Sequence, residues 1–278
     1  MIDFIGLGAQ KSGTSWAYAC LYEHPQICAP IKEIHFFSRP RYENGREWYE
    51  AHFKKCDEKK LKGEFSTSYL YSEEAPQRIR AMYPNAKLIA ILRNPIDRAY
   101  SQYRNAIKSG EISKTMRFED YEKSEASVRA QGLYSVQLAR YFALFPKEQI
   151  LVLVYEDIKK DPIAFMKRIY QFLGVDDTFV SGMVHSEINV ARTPKLILID
   201  RAMHHVAEFL RRHGGDRIVH AIRTAGIPDL VRLVNTAKKG AHNKKTEYDR
   251  STYASYFHDD VVALSEFIGR DMNTEWSI

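Results

Sequence analysis

Two short, almost uninterrupted apolar runs lie between segments with helical periodicity. Lys87–Leu92 reads KLIAIL and Ile150–Val154 reads ILVLV, a composition typical of strands buried on both faces of a parallel sheet. Shorter strands are predicted at 3–7 and 62–66. Helices are predicted over 14–22, 73–83, 135–144 and Pro162–Leu173, with a further helix beginning at Pro95. This alternation predicts an α/β protein built on a doubly wound parallel sheet flanked by helices.

The pattern of strands stops at about residue 193. Segments 196–210, 217–224 and 253–268 have helical periodicity and are joined by polar, basic loops. The sequence contains no internal repeat and no clear linker, and 278 residues fit one large domain. We therefore predict a single domain over 1–278, with an α/β core over about 1–192 and a helical, basic C-terminal portion over about 193–278.

Length and composition exclude several classes of protein. The chain is 45% hydrophobic, too apolar for a disordered protein, and its 14 Gly and 10 Pro are too few for low-complexity sequence. No stretch approaches the roughly 18 apolar residues of a transmembrane segment. The first residues, MIDFIGLGAQKSG, lack the basic and apolar regions of a secretion signal. We therefore expect a globular, cytoplasmic protein.

The cysteines support the same location. Cys20, Cys28 and Cys56 are odd in number and form no CxxC pair. We therefore expect neither a disulfide framework nor a zinc site, and a reducing compartment is favoured.

The net charge of +6 lies in one part of the chain. Residues 195–250 hold 12 Lys and Arg against 6 Asp and Glu, and the remainder is neutral. A basic region can attract an anionic substrate, a cofactor or nucleic acid, and it equally fits solvated helix faces. No recognised motif accompanies the charge, so we expect no nucleic-acid partner.

A loop with two glycines follows the first predicted strand. Residues 8–15 read GAQKSGTS, which resembles the phosphate-binding pattern G-x-x-x-x-G-K-[ST]. Ser15 occupies the hydroxyl position, but Thr14 replaces the lysine and Lys11 lies within the loop instead. Such a loop can direct backbone N–H groups and a helix N-terminus at a phosphate. The sequence therefore predicts a P-loop-like anion site that Lys11 approaches from a different side.

A second basic element follows the KLIAIL strand. Residues 93–103 read RNPIDRAYSQY, so Arg93 emerges at the carboxyl edge of the sheet, where α/β proteins bind ligands. Ser101 lies about two turns into the helix that follows. Arg93 offers a bidentate fork for phosphate, and the two side chains can hold one anion between them. The alternative is an Arg93 that caps the strand and pairs with Asp97.

Together these elements resemble the sulfotransferases that use 3′-phosphoadenosine 5′-phosphosulfate (PAPS). Residues 10–16 (QKSGTSW) are similar to the family's 5′-phosphosulfate loop, and residues 93–103 to its 3′-phosphate element. Residues 32–37 (KEIHFF) resemble the heparan-sulfate N- and 3-O-sulfotransferase branch. The resemblance spans nearly the whole chain and is strongest over 5–104 and 132–176. The sequence departs from that branch in having no cysteine beyond Cys56 and in the composition of 64–69.

The resemblance implies which residues bind the co-substrate. The 5′-phosphosulfate would be held by Lys11, Ser12, Gly13, Thr14 and Ser15, and the 3′-phosphate by Arg93 and Ser101. Trp16 either packs against the adenine or is a core aromatic of the first helix. Tyr134 is expected near the nucleotide.

The same resemblance makes Glu33 the catalytic base, because an alcohol that attacks sulfur must lose its proton. Lys32 and Glu33 could instead be ordinary loop charges. His35 is an alternative base or a polarising donor, and in an extended segment the side chains of Glu33 and His35 would point the same way. Phe36 and Phe37 are expected in the core.

The implied activity is in-line transfer of the sulfuryl group from PAPS to a hydroxyl or amine of a carbohydrate, lipid or small-molecule acceptor. Lys11 would stabilise the charge on the leaving oxygen, with Ser12 and Thr14. No metal is implied.

Two other classes of protein remain as alternatives. A P-loop kinase or nucleotide hydrolase is disfavoured, because the lysine after Gly13 is missing and no apolar strand ends in a magnesium-binding Asp. A non-catalytic protein could read an anionic polymer through residues 195–250.

Overall fold

A parallel sheet of five strands forms the centre of the protein. The computed structural model describes residues 1–58, 60–186 and 250–278. The strands lie in the order β2-β3-β1-β4-β5, with the bounds β1 Phe4–Gly8, β2 Ile27–Cys28, β3 Leu61–Phe65, β4 Lys87–Leu92 and β5 Ile150–Val154. All described pairings are parallel. The predicted doubly wound parallel sheet is therefore confirmed, and β4 and β5 have the predicted bounds.

Helices alternate with the strands, as predicted. Their bounds are α1 Thr14–Glu23, α2 Gly45–Glu50, α3 Ala75–Met82, α4 Pro95–Ser109, α5 Phe118–Ser124, α6 Ala126–Ala130, α7 Tyr134–Phe142, α8 Tyr155–Lys160, α9 Pro162–Leu173, α10 Arg250–Ile268 and α11 Met272–Trp276. Short 3₁₀ helices occupy Pro40–Asn44, Ala51–Phe53 and Lys147–Gln149. The helix predicted at 253–268 is confirmed within α10, whereas those at 196–210 and 217–224 lie outside the described residues.

The described residues belong to two compact units. Among the described residues, one unit contains 1–58, 60–99, 125–186 and 250–278, and the other contains 100–124. The sheet lies in the first unit. In the second, the Tyr103 hydroxyl donates to the carbonyl of Met116 at 2.6 Å. The single domain that the sequence predicts stays a prediction.

The centre of the sheet is closely packed because glycines let neighbouring strands and rings approach. A Cβ on Gly6 of β1 would lie 2.0 Å from the ring of Phe65, and one on Gly63 would lie 2.4 Å from the carbonyl oxygen of Phe4. Ile89 and Ile91 of β4 are fully buried in the same core. This packing brings the carboxyl ends of β1, β3 and β4 together at one edge, and the segments that follow these strands surround it.

The C-terminal helices belong to the first unit and pack against its other elements. Asp260 of α10 accepts hydrogen bonds from the backbone and side chain of Ser135 at the start of α7, and the rings of Phe142 and Phe267 stack with centroids 5.6 Å apart. None of the described helices combines the length and apolar character needed to cross a membrane.

One prediction from the cysteine pattern is wrong. Cys28, at the end of β2, forms a disulfide with Cys56, which precedes β3, and their Cα atoms are 5.8 Å apart. Cys20 is free and buried. An odd cysteine count leaves room for one pair, and the pairing depends on how β2 lies beside β3. The cysteine pattern therefore no longer favours a reducing compartment.

We expect cysteine labelling to confirm this disulfide. Unfolding without reductant should expose one reactive thiol, that of Cys20, and unfolding with reductant should expose three. Because the bridge closes a loop of 28 residues, the Cys28→Ser/Cys56→Ser variant should lose about 3–4 kcal/mol of unfolding free energy. Three reactive thiols in the unreduced protein would show that the bridge does not form.

Candidate active site

The glycine loop leaves β1 at the centre of the sheet and leads into α1. Gly13 adopts φ +83° immediately before the helix, a left-handed conformation that glycine adopts at low cost. A Cβ at this position would lie 2.9 Å from side-chain atoms of Tyr155 and Ile158. Both the backbone and the close neighbours therefore require glycine, so the predicted strand–loop–helix arrangement is confirmed.

Two buried polar atoms of this loop region have no hydrogen-bond partner among the described residues. They are Ser12 Oγ and Arg93 Nε. Arg93 also donates from Nη1 to the carbonyl of Lys11 at 3.0 Å, and its guanidinium lies 4.7 Å from the ring centre of Tyr155. A buried donor without a partner costs about 1–3 kcal/mol, and a ligand that carries anionic groups at two positions would offer an acceptor to each of these donors. The residues present therefore fit a phosphate or phosphosulfate group.

Hydrogen bonds to three helices hold Arg93 and Asn94 at the end of β4. Tyr134 of α7 donates its hydroxyl to the carbonyl of Arg93 at 2.9 Å. Asn94 donates from Nδ2 to the carbonyl of Trp276 in α11 at 2.9 Å, and its backbone N–H donates to Glu156 of α8 at 3.3 Å. Tyr134 is fully buried, so in this structure it supports Arg93, and its contact with a nucleotide stays a prediction.

The remaining predicted nucleotide residues lie as follows. Thr14 is buried and Ser15 is partly buried, both in the first turn of α1. Trp16 is 6% exposed in the hydrophobic core, where it packs edge-on against Phe165. This placement matches the core alternative for Trp16, and its contact with adenine stays a prediction. Ser101 lies on α4 in the second unit, and its partnership with Arg93 also stays a prediction.

The segment with the predicted base forms a cluster of charges. Glu33 pairs with Lys32 Nζ through Oε1 and with His35 Nε2 through Oε2, the latter at 3.0 Å. Thr67, just beyond β3, donates to the same carboxylate from its backbone N–H at 3.1 Å and from its hydroxyl. The side chains of Lys32, Glu33 and His35 are 18%, 26% and 19% exposed. The two predicted residues, Glu33 and His35, therefore meet with Lys32 in one partly buried cluster.

These contacts determine the ionisation of Glu33. Burial by itself would raise its pKa, but the hydrogen bond from His35 and the charge of Lys32 outweigh burial and hold the pKa at about 2. Glu33 is therefore a carboxylate at every pH at which the protein is expected to work.

The backbone of this segment is left-handed at two positions. Glu33 and His35 adopt φ +62° and +55°, and Lys11 of the glycine loop adopts φ +69°. Left-handed backbone is strained for such residues. The segment is therefore not extended, yet the side chains of Glu33 and His35 still meet. Among the described non-glycine residues, only Ser277 shares this conformation. Such strain is concentrated at functional sites in proteins.

Side chains, and not regular secondary structure, form the hydrogen bonds with the backbone N–H and C=O groups of this segment. The N–H groups of His35 and Phe36 donate to the hydroxyls of Ser66 and Tyr69, each at 2.9 Å. The carbonyl of Ile34 accepts from Arg41 at 2.8 Å. Phe36 and Phe37 are fully buried, as expected.

Both ring nitrogens of His35 have partners. Nε2 faces Glu33, and Nδ1 lies 2.6 Å from Ser68 Oγ, which in turn lies 2.5 Å from Ser38 Oγ. With the proton on Nε2, His35 donates to Glu33 and accepts from Ser68. In this arrangement His35 orients the carboxylate, and Ser38 and Ser68 complete a chain of hydroxyls.

The glycine loop and the base segment are neighbours. A Cβ at Gly8 would lie 3.0 Å from the carbonyl oxygen of Thr67, and Thr67 bonds to Glu33. The carboxyl ends of β1 and β3 therefore bring the anion loop and the candidate base to the same edge of the sheet.

Sequence reasoning missed several residues of this site. Thr67, Ser66 and Ser68 follow β3, and Tyr155 follows β5. Their signals were their positions immediately after a strand and, for Ser66, Thr67 and Ser68, the unusual composition of residues 64–69. Among the described residues, no group of three or more His, Cys, Asp or Glu side chains is placed to hold a metal ion.

Comparison with known proteins identifies the family. A family model described as the sulfotransferase domain matches residues 2–216, and the chain belongs to this family. Its structure is similar to a crystal structure of a sulfotransferase from Alicyclobacillus acidocaldarius, with a TM-score of 0.71 and 24% identity over 100% of this chain and 99% of that one. This likeness supports the P-loop-like α/β fold.

Characterised relatives with similar sequences act on heparan sulfate, according to their names. The chain is 33% identical over 193 residues to the human bifunctional heparan sulfate N-deacetylase/N-sulfotransferase 3, covering 62% of this chain and 22% of that protein. It is 32% identical over 176 residues to the human heparan sulfate glucosamine 3-O-sulfotransferase 6, covering 61% and 51% respectively. The chain therefore spans about a fifth of the length of the first relative and about half of the second.

Proposed function

We propose that this protein transfers a sulfuryl group from PAPS to a hydroxyl or amine of an acceptor. The observation that carries the proposal is the meeting of an anion site and a carboxylate at one edge of the sheet. The anion site contains Ser12 Oγ and Arg93 Nε, which are buried and lack partners among the described residues. The carboxylate is that of Glu33, next to Thr67 and the start of the loop.

Each part of the site has a separate task. PAPS, when bound, supplies an activated sulfuryl group for in-line transfer and a phosphate leaving group. Lys11 and the N–H groups of the loop stabilise negative charge that develops on the anion, which lowers the barrier to transfer. Glu33 accepts the proton of the acceptor, and His35 and Thr67 keep its carboxylate oriented. Arg93 binds the 3′-phosphate, and the contact of Ser101 with this phosphate stays a prediction.

For the acceptor we propose a chemical class of molecule. The relatives named above act on heparan sulfate, and a glycan, a lipid or a small molecule with a free hydroxyl or amine fits the same chemistry. A cytoplasmic location also stays a prediction. The cysteine-labelling experiment bears on this location, because a reducing cytoplasm opposes a stable disulfide.

Calorimetric titration tests the co-substrate. We expect 3′,5′-ADP to bind without magnesium and more tightly than 5′-ADP, because Arg93 contributes a charge-assisted contact to the 3′-phosphate. Losing such a contact costs about 1.5–3 kcal/mol, so Arg93→Ala should weaken binding of 3′,5′-ADP about 10- to 100-fold.

Arg80→Ala is the matched control for this titration. Arg80 is exposed and its guanidinium donates to the carbonyl of Pro84, near the opposite edge of the sheet. It should bind 3′,5′-ADP like the wild type. Binding of ATP only in the presence of magnesium would instead assign the protein to the kinase-like class, and equal affinities for 3′,5′-ADP and 5′-ADP would remove the role of Arg93.

A further inference from the structure

Glu64 is a buried carboxyl group that the proposed chemistry does not use. It lies in β3 with 0% exposure, and three hydroxyl groups converge on it. Ser66 Oγ donates to Glu64 Oε2 at 2.7 Å, Tyr49 donates to Oε1 at 3.3 Å, and the hydroxyl of Tyr69 also bonds the carboxyl group. Moving a carboxyl group from water into a protein core costs desolvation free energy, and these hydrogen bonds offset part of it. An apolar residue at this position would not incur that cost.

Two of these hydroxyls also bind the backbone of the base segment. Ser66 Oγ accepts from the N–H of His35, and the hydroxyl of Tyr69 accepts from the N–H of Phe36. A hydroxyl has one proton and two lone pairs. Because Glu64 takes the proton of Ser66 Oγ, that oxygen has its lone pairs available for the N–H of His35. The interaction of the Tyr69 hydroxyl with Glu64 favours the same arrangement at the N–H of Phe36.

The backbone that these bonds hold is strained. Glu33 and His35 both lie in the left-handed region, which persists only where surrounding contacts determine it. We propose that Glu64, acting through the hydroxyls of Ser66 and Tyr69, is the positioning residue that holds the catalytic segment in this conformation. Calling this segment catalytic rests on the sulfuryl-transfer function proposed above, whereas the positioning of its backbone does not.

This role does not depend on the charge of Glu64. Burial raises the pKa of Glu64 to about 8, the hydrogen bonds from Tyr69 and Ser66 oppose the rise, and the charge of Glu33 adds to it. A proton on Oε1 would face the hydroxyl of Tyr49, which can accept it, and Oε2 would still accept from Ser66. Both protonation states therefore keep the relay through Ser66 intact.

Residue-specific amide hydrogen exchange tests the relay in the full-length protein. Ser66→Ala should lower the protection of the His35 amide, and Tyr69→Phe that of the Phe36 amide, each about fivefold, the ratio for a net hydrogen bond of about 1 kcal/mol. Glu64→Leu removes the common partner and should lower protection at both amides. Glu64→Gln keeps an acceptor oxygen and a donor, so it should restore most of the protection.

Sulfuryl-transfer kinetics provide the second measurement. Displacing reacting groups by about 1 Å costs about 10²-fold in rate, so Ser66→Ala and Glu64→Leu should lower kcat about 10- to 100-fold. Affinity for 3′,5′-ADP should stay within about twofold of the wild type, because the glycine loop is untouched. A general loss of structure would weaken both together.

Two variants far from this segment are matched controls. Ser181→Ala removes a buried hydroxyl that donates to Glu23 at 2.6 Å, and Tyr170→Phe removes one that donates to the carbonyl of Cys20. Neither should change exchange at His35 or Phe36, and neither should change kcat.

The outcomes separate this proposal from the proposed function. Unchanged protection of the His35 and Phe36 amides in Glu64→Leu overturns the positioning role. If that variant does not fold, unchanged protection in both Ser66→Ala and Tyr69→Phe overturns it equally. If the wild type transfers no sulfuryl group but exchange changes as expected, the proposed function fails and the positioning of the segment stands.

Discussion

Lys11→Ala is expected to lower kcat about 10²-fold or more while the protein stays folded. Lys11 lies within the glycine loop, and its backbone carbonyl accepts from Arg93, so the loop holds the backbone of this lysine beside the proposed anion site. A cation that stabilises charge on the leaving oxygen acts mainly in the transition state, and losing one such group typically costs 10²–10³-fold. Initial-rate kinetics with PAPS and any accepted acceptor measure the effect.

Two further variants separate the charge from the backbone. Lys11 adopts φ +69°, which glycine tolerates better than alanine, by about 1 kcal/mol. Lys11→Gly should therefore unfold at higher temperature than Lys11→Ala and yet lose turnover equally. Lys54→Ala removes an exposed lysine and should be as active as the wild type. Near-normal turnover in both Lys11 variants would contradict the role of the side chain.

Glu33→Gln is expected to lower kcat by about 10²–10⁴-fold, the range associated with a lost general base. The amide keeps the shape of the carboxylate but cannot accept a proton from the acceptor. Glu33 contacts Thr67 and His35, which are not among the residues proposed to bind the nucleotide. Binding of 3′,5′-ADP should therefore change little. Glu47→Gln, an exposed residue of α2, is the control and should keep full activity.

The pH dependence follows from the lowered pKa of Glu33. A carboxyl group whose pKa is lower in the folded than in the unfolded state stabilises the fold at pH values above its unfolded-state pKa. This stabilisation is lost as the pH falls through its folded-state pKa. For Glu33 this window runs from about 4.5 down to about 2. Because Glu33 also stays ionised throughout the range above pH 5, the kcat/KM of the wild type should show no acid limb from this group in that range. An acid limb between pH 5 and 8 that disappears in His35→Asn would assign the base to His35 instead.

Much of the sheet could be predicted because its signals are local. The apolar runs of β4 and β5 are continuous and short, and α9 begins at a proline and ends before Gly174, so each bound follows from adjacent residues. The glycine loop was also readable, since strand, glycines and helix start follow one another in the chain. By contrast, α1 ends one residue later than predicted, and α3 begins two residues later and ends one residue earlier, because helices fray at their ends.

The catalytic segment could not be predicted because long-range contacts determine its conformation. His35 and Phe36 donate to hydroxyls that lie more than 30 positions later, and nothing in the letters KEIHFF indicates a left-handed backbone. The function of Glu33 was proposed from resemblance, whereas Thr67, its backbone partner, had no signal beyond its position after β3 and the unusual composition of residues 64–69.

The sequence by itself determined four of the five strands, the main helices that alternate with them, the glycine loop and the family, since these depend on neighbouring residues and on motifs. Only the tertiary structure decided that Cys28 pairs with Cys56, that Trp16 packs in the core, and that Glu64 lies beneath the base segment. The reason is physical: burial and pairing are properties of distances in space, and residues that are far apart in the chain become neighbours only when the sheet assembles.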